Sequence, residues 1–167
     1  MYKYRITKYN PSFRDGNDVY LRDEWTSYCD IGKVYNGNIF LLEEYMDIEQ
    51  KYCTALMEIL QMNSCKRFTI IDLEIYRDIS EEQLSTKEYV LLKALENNMK
   101  IPIEIIEDYI KLILREYFWC EFMSENGVVI QFGYDFYMYV ICPILDDRVI
   151  KKYSDVGIFI EHIYEMV

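Results

Sequence analysis

Two carboxylates at alternate positions are the feature of this sequence that comes nearest to a catalytic site. Asp72 and Glu74 lie in the segment Ile-Ile-Asp-Leu-Glu-Ile-Tyr, which is typical of a β-strand. Because successive side chains of a strand point to opposite faces, two residues at this spacing share one face and could hold Mg²⁺ together. A metal-dependent nuclease or related hydrolase is therefore one hypothesis, and a pair of solvated strand carboxylates is the other.

The remaining residues with catalytic or metal-binding potential do not form a known motif. His162 is the single histidine, which excludes a zinc site built from two histidines and leaves an isolated side chain that we expect at the surface. The acidic residues between positions 15 and 30 lack the spacing of an EF-hand calcium loop, and the chain has no glycine-rich phosphate loop and no G-x-S-x-G sequence. We therefore expect no metal, no cofactor and no enzymatic activity, and the hydrolase using Asp72 and Glu74 is the alternative.

The five cysteines are scattered along the chain and never form a C-x-x-C pair, a pattern that argues against a zinc site and a disulfide framework. They are Cys29, Cys53, Cys65, Cys120 and Cys142. The first ten residues contain no apolar run that could act as a signal peptide, and no stretch reaches the ~18 apolar residues that a membrane-spanning helix requires. We therefore predict reduced, mostly buried thiols, a cytoplasmic location and no membrane partner.

The chain is strongly acidic. With 18 basic and 29 acidic residues its formal net charge is −11, which repels the phosphates of nucleic acids and anionic lipids and favours encounter with basic partners. The charge could also serve solubility alone, and it indicates a binding site only where it is concentrated on one face. On this basis we predict no nucleic-acid partner and a basic protein partner.

The length of 167 residues and the apolar fraction of 51% are sufficient for one domain with a substantial core. Helical periodicity is clearest from 41 to 62, where apolar residues recur every three or four positions and the opposite face carries Glu43, Glu44 and Asp47. Strand alternation is clearest in residues 2–9 and 118–142, and Asn126-Gly127 marks a hairpin turn within the second of these segments.

Weaker patterns complete the predicted architecture. Helices are expected at residues 86–98, 102–117 and 154–166, and short strands near 19–21 and 25–29. Residues 67–76 predict a strand that is either apolar on both faces or interrupted by a bulge near Ile70. Because helices and strands are segregated along the chain, we predict a single α+β domain with a mixed or antiparallel sheet and helices packed on it.

Tyrosine is unusually frequent, at 17 residues. Strands favour aromatic side chains, so many tyrosines are expected in the core of the sheet. Tyrosine and tryptophan are also enriched at interface hot spots, and several of them lie in the irregular acidic segment before the first helix. The candidate contacts with a protein partner combine this segment with the acidic helix face, and they are Asp23, Glu24, Trp25, Tyr28, Glu43, Glu44 and Asp47.

The opening residues Tyr4 to Pro11, together with Asp23-Glu24-Trp25-Thr26-Ser27 and Asp30-Ile31-Gly32, resemble the start of small bacterial proteins that neutralise toxins. The chain is similar, over about its first 40 residues, to immunity proteins of contact-dependent growth inhibition and related polymorphic toxin systems. The resemblance implies a cytoplasmic, non-enzymatic protein that binds one toxin domain, often a basic nuclease, and blocks its active site. An inhibitor from a phage or mobile element would have the same features.

Overall fold

The computed structural model describes residues 1–76 and 84–163, and its strands form one large and one small sheet. The helices and strands in chain order are β1 (Tyr2–Thr7), β2 (Val34–Tyr35), β3 (Asn38–Ile39), α1 (Leu42–Met62), β4 (Arg67–Ile75), α2 (Thr86–Lys93), β5 (Lys100–Pro102), α3 (Ile103–Leu114), β6 (Phe118–Ser124), β7 (Val129–Phe132), β8 (Met138–Cys142), α4 (Asp147–Ser154) and β9 (Phe159–Ile163). The predicted α+β fold, with an antiparallel sheet and helices packed on it, is confirmed.

Seven antiparallel strands form the main sheet in the order β5-β4-β6-β7-β8-β1-β9. Side chains alternate across it, so that Phe118, Cys120 and Phe122 of β6 are buried while Trp119 and Glu121 between them are half-buried. The buried face packs against the apolar sides of α1 and α3 in one continuous core. The sheet therefore has one helix-covered face and one face in contact with solvent, as antiparallel sheets commonly do.

Helix α1 matches its prediction to within one residue at its start. Its buried side contains Tyr45, Tyr52 and Leu56, at the spacing that an amphipathic helix requires. The Glu44 carboxylate accepts a hydrogen bond of 2.9 Å from the Leu41 backbone N–H, which satisfies one donor at the N-terminus of the helix. The acidic first turn also suits the positive end of the helix dipole.

Strand β4 contains a bulge. Its pairing with β6 shifts register between Ile71 and Glu74, and Asp72 within the shift has a φ of 54°. The alternative with an interrupted strand is therefore correct, and the bulge lies two residues beyond Ile70. The regular alternation that would place Asp72 and Glu74 side by side on one face is broken at this bulge.

The end of the chain differs most from the prediction. A helix at 154–166 was predicted, but α4 occupies Asp147–Ser154 and is followed by β9; residues 164–166 lie outside the described residues. The Asp146 side chain accepts a hydrogen bond from the Arg148 N–H and so starts the helix early. Gly157 turns the chain with a φ of 84°, and β9 then pairs with β1.

The boundaries of two other helices also differ from their predicted positions. The helix predicted at 86–98 ends at Lys93, and the helix predicted at 102–117 spans Ile103–Leu114 because Pro102 belongs to β5 and precedes the first turn. The short strands predicted near 19–21 and 25–29 are wrong. Tyr20 forms only an isolated bridge with Arg14, and a single 3₁₀ turn at Tyr28–Asp30 follows a Ser27 cap.

A cluster of aromatic rings joins the N-terminal loop, α1 and the turn between β7 and β8. Phe136, from that turn, lies 5.0 Å from Trp25, 5.7 Å from Tyr45 and 4.9 Å from Tyr52 between ring centroids. The two central residues of the turn, Asp135 and Phe136, have φ angles of 55° and 63°. A bulky residue at such a φ costs about 1–2 kcal/mol, so packing of the Phe136 ring must offset the backbone strain.

We expect Phe136→Ala to lower the free energy of unfolding by about 3–5 kcal/mol, because the ring is lost while the strained backbone stays. Tyr134→Ala is the matched control, since Tyr134 lies in the same turn with a side chain that is 93% exposed, and it should change stability by less than about 0.5 kcal/mol. Urea denaturation of the purified variants measures both values. A loss of similar size in the two variants would show that the turn itself, rather than the buried ring, determines stability.

Candidate functional site

The acidic face of α1 is exposed as predicted. Glu43, Glu44 and Asp47 all extend into solvent near the start of the helix. Asp47 forms an ion pair of 2.6 Å with Lys51 one turn further along, and Glu44 also caps the helix. An exposed pair of this kind contributes little to stability, so Asp47 remains accessible to a partner at small cost.

The loop that contains Asp23, Glu24, Trp25 and Tyr28 is bound more tightly to the fold than the sequence indicated. Trp25 stacks on Phe40 with 4.5 Å between ring centroids, and Tyr28 makes an edge contact of 4.9 Å with the Tyr45 ring. These half-buried rings contribute to the core of the protein. Of this group, Asp23 is exposed, whereas Glu24, Trp25 and Tyr28 are half-buried.

Glu24 has its partners within the protein. Its carboxylate lies 3.2 Å from the Lys8 ammonium and accepts a hydrogen bond of 2.6 Å from the Tyr20 hydroxyl. The Lys8 ammonium is buried between two rings, 4.0 Å from the Tyr9 centroid and 4.2 Å from the Trp25 centroid. Burial lowers the pKa of Lys8 to about 8, although the nearby Glu24 carboxylate acts in the opposite direction. Glu24 and Trp25 therefore hold a buried cation in place.

An exposed apolar surface beside the acidic helix face was not predicted from the sequence. We call it the hairpin–helix patch, and it consists of Val34, Ile39, Leu41, Leu42 and Met46. Val34 and Ile39 pair directly across the β2–β3 hairpin. Ile39 and Leu41 are two residues apart in extended chain and so lie on the same side, while Leu42 and Met46 are one helical turn apart on α1.

The patch meets the acidic face because the two sets of residues alternate along the start of α1. Glu43 and Glu44 lie between Leu42 and Met46, and Asp47 follows directly. The sequence contained a signal for this surface, since Leu42 and Met46 lie off the stripe that Tyr45, Tyr52 and Leu56 bury. The core-facing stripe of α1 is complete without Leu42 and Met46. These two apolar residues, one turn apart, therefore form a second apolar surface on the helix.

In the part of the chain that the structure describes, no further ligands are grouped with the pair proposed for metal-dependent chemistry. Asp72 and Glu74 are both exposed, and the bulge separates them from regular strand pairing. Within residues 1–76 and 84–163, no three His, Cys, Asp or Glu side chains are grouped closely enough to hold a metal ion. The described carboxylates thus provide no multi-ligand metal centre of the type that a two-metal hydrolase uses.

The cysteines are all free thiols; Cys29 is exposed and the other four are buried, as predicted. Burial raises the pKa of the Cys142 thiol to about 11, and it also raises the pKa values of Cys53, Cys65 and Cys120. Thiols with raised pKa values are poor nucleophiles.

His162 is half-buried and contacts the rings of Tyr2 and Tyr4, at 5.6 and 5.2 Å between centroids.

Comparison of the chain with protein-family models, curated proteins and solved structures found no match. Among the helices in the described part of the chain, none has the length and apolar character needed to span a membrane.

The buried Lys8 gives a pH dependence that can be measured. Its folded pKa of about 8 lies below the ordinary value of 10.5, so between these values the unfolded chain binds more protons and the Lys8 contribution to stability rises with pH. Relative to Lys8→Met, the wild-type free energy of unfolding should rise by about 1–2 kcal/mol between about pH 7 and 9.5. Denaturant titrations at several pH values measure the difference, and parallel curves for the two proteins would contradict it.

Proposed function

We propose that this chain is a non-enzymatic, cytoplasmic immunity protein that binds and neutralises a cognate basic toxin domain. The hairpin–helix patch and its acidic border are the binding surface. The observation that carries the proposal is the exposure of this apolar patch directly beside Glu43, Glu44 and Asp47. The resemblance of the first residues to toxin-neutralising proteins supports the same function.

An apolar centre with a charged border is the usual composition of a protein interface. Val34, Ile39 and Leu41 would lose contact with water on binding and supply most of the favourable free energy. The carboxylates at the border would act mainly on the rate of association and on the choice of partner, because charges at an interface rim steer encounter more than they add affinity.

The charge of the whole molecule favours the same class of partner. A net charge of −11 creates a negative field that accelerates the approach of a basic domain and repels an acidic one. Nucleases that bind nucleic-acid phosphates present basic surfaces. An acidic protein that covers such a surface would exclude the substrate by occupying its binding site.

The central test uses a toxin domain encoded by the gene immediately upstream of this one, expressed with and without the present protein. The proposal predicts that co-expression restores growth and that the two purified proteins form a stable complex. A toxin that remains active in the presence of excess protein, or one that is neutralised without forming a complex, would contradict the proposal.

The role of the acidic border can be tested separately with the triple variant Glu43→Lys, Glu44→Gln, Asp47→Lys. Gln at position 44 retains an acceptor for the helix cap. We expect association with the toxin domain to slow by about tenfold or more at low salt, and its salt dependence to weaken, with little change in the dissociation rate. Surface plasmon resonance at two ionic strengths measures both rates.

The matched control is Glu96→Lys, Glu125→Lys, Asp155→Asn, which makes the same change in net charge at exposed positions away from the patch. If steering depends on the border of the patch, this control should slow association much less. Equal slowing in the two variants would show that net charge alone determines the rate and that the patch is not the docking surface.

A further inference from the structure

The outward face of the main sheet is more apolar than a solvated sheet face usually is. In β6, β7 and β8 the side chains that point away from α1 and α3 include Met123, Val129 and Ile141. Met123 lies directly opposite Val129, and Val129 lies directly opposite Ile141. The three side chains therefore form one row, with about 5 Å between neighbouring Cβ atoms. A sheet with one solvated face commonly has polar residues at such positions.

A second row, two residues further along the strands, extends this surface. Ile71 of β4 lies opposite Glu121 of β6, and Tyr139 of β8 lies opposite Gln131 of β7. The Gln131 amide donates a hydrogen bond of 2.8 Å to the Glu121 carboxylate, so these two polar side chains at the centre of the row satisfy each other. We call the apolar residues of the two rows the outer sheet patch, and they are Ile71, Met123, Val129, Tyr139 and Ile141.

The outer sheet patch is in contact with solvent. Met123 is 43% exposed, and the other four residues are half-buried among their neighbours on the sheet. Helices α1 and α3 pack on the opposite face of the sheet. The hairpin–helix patch includes the start of α1, so the two surfaces lie on different sides of the protein and share no residue. A contiguous apolar surface of this kind marks an interaction site.

The charges beside the outer sheet patch differ in balance from those of the whole chain. Lys3 of β1 and Glu121 of β6 lie directly opposite members of the patch, and Lys100 of β5 lies opposite Thr69 at its far side. These described cross-strand neighbours are two basic residues and one acidic residue, whereas the chain has 18 basic and 29 acidic residues. A basic partner would therefore find its matching charges at the border of the hairpin–helix patch and not on this face.

We propose that two copies of this chain form a symmetric dimer in which their outer sheet patches pack face to face. A two-fold contact places the same surface opposite itself, so the surface must be complementary to its own copy. Apolar rows bordered by charges of both signs meet that requirement. Two copies with a net charge of −11 repel each other, and they can approach closely only through a face without net negative charge.

The size of the patch predicts a weak dimer. The patch and its neighbours extend over five strands about 4.8 Å apart and two rows about 6.8 Å apart, which gives a flat area of about 300 Å². A standard interface covers about 800 Å² on each partner, so we expect a dissociation constant of about 10–500 µM. Salt should strengthen the association, because it screens the repulsion between the two acidic copies.

Sedimentation velocity of the full chain measures this association directly. Over a concentration series from about 5 to 500 µM, the mean mass should rise from that of one chain towards that of two. At about 300 mM salt the rise should occur at lower protein concentration than at about 50 mM.

Two methionines provide matched reporters of the interface. Met123 of the outer sheet patch is 43% exposed, and Met46 of the hairpin–helix patch is 41% exposed. In protein labelled with ¹³C at its methionine methyl groups, the Met123 resonance should shift with protein concentration and the Met46 resonance should not. The variants Met123→Leu and Met46→Leu assign the two resonances.

The double variant Met123→Lys, Ile141→Glu leaves the net charge unchanged and should weaken dimerisation by about tenfold or more. The control Val34→Lys, Leu42→Glu makes the same change at two exposed apolar positions of the hairpin–helix patch and should have little effect. Should the first variant fail to fold, Val129→Thr supplies a second check. It keeps the branched shape that strands favour, places a hydroxyl at the centre of the row, and should weaken dimerisation by about threefold or more.

A chain that stays monomeric over the whole series, without a shift of the Met123 resonance, would overturn the inference. Equal weakening in the control variant, or a shift of Met46 in place of Met123, would also overturn it. A monomer whose Met123 resonance moves only when polylysine is added would assign the face to a basic partner and not to a second copy. The series contains no toxin, so its result and that of the neutralisation test are independent.

Discussion

The structure depends on one buried hydroxyl group. The Tyr52 hydroxyl accepts a hydrogen bond of 2.6 Å from the Lys8 backbone N–H and donates one of 3.1 Å to the Phe136 carbonyl. It therefore joins α1 to the end of β1 and to the strained turn before β8. An unpaired polar group at this depth would cost about 1–3 kcal/mol, so all three segments are constrained together.

The same constraint connects the aromatic cluster to the elements that carry the hairpin–helix patch. Phe136 holds the β7–β8 turn against α1 through its contact with the Tyr52 ring. Trp25 packs on the same ring and on Phe40, the residue that links the β2–β3 hairpin to α1. The many aromatic residues thus serve mainly to assemble the scaffold, and the recognition proposed for the hairpin–helix patch depends on aliphatic side chains.

Local patterns predicted those parts of the structure whose form is decided by neighbouring residues. The stripe of α1 and the strand alternation around Asn126-Gly127 both reappear in the fold. The segment 156–163 was misassigned because its apolar residues recur at helical spacing, while pairing with β1, which is distant in sequence, makes it a strand. The internal partners of Glu24 and Trp25 could not be predicted from the sequence either, because Lys8 and Phe40 approach them only in the folded chain.

The most direct measurement for the proposed function is hydrogen–deuterium exchange of the protein with and without its cognate toxin domain. Most residues of the β2–β3 hairpin and of the first turn of α1, residues 34–47, are exposed. Their backbone amides should therefore exchange readily in the free protein. Complex formation is predicted to slow exchange there. Protection confined to other segments, with residues 34–47 unchanged, would contradict the account by placing the binding surface elsewhere.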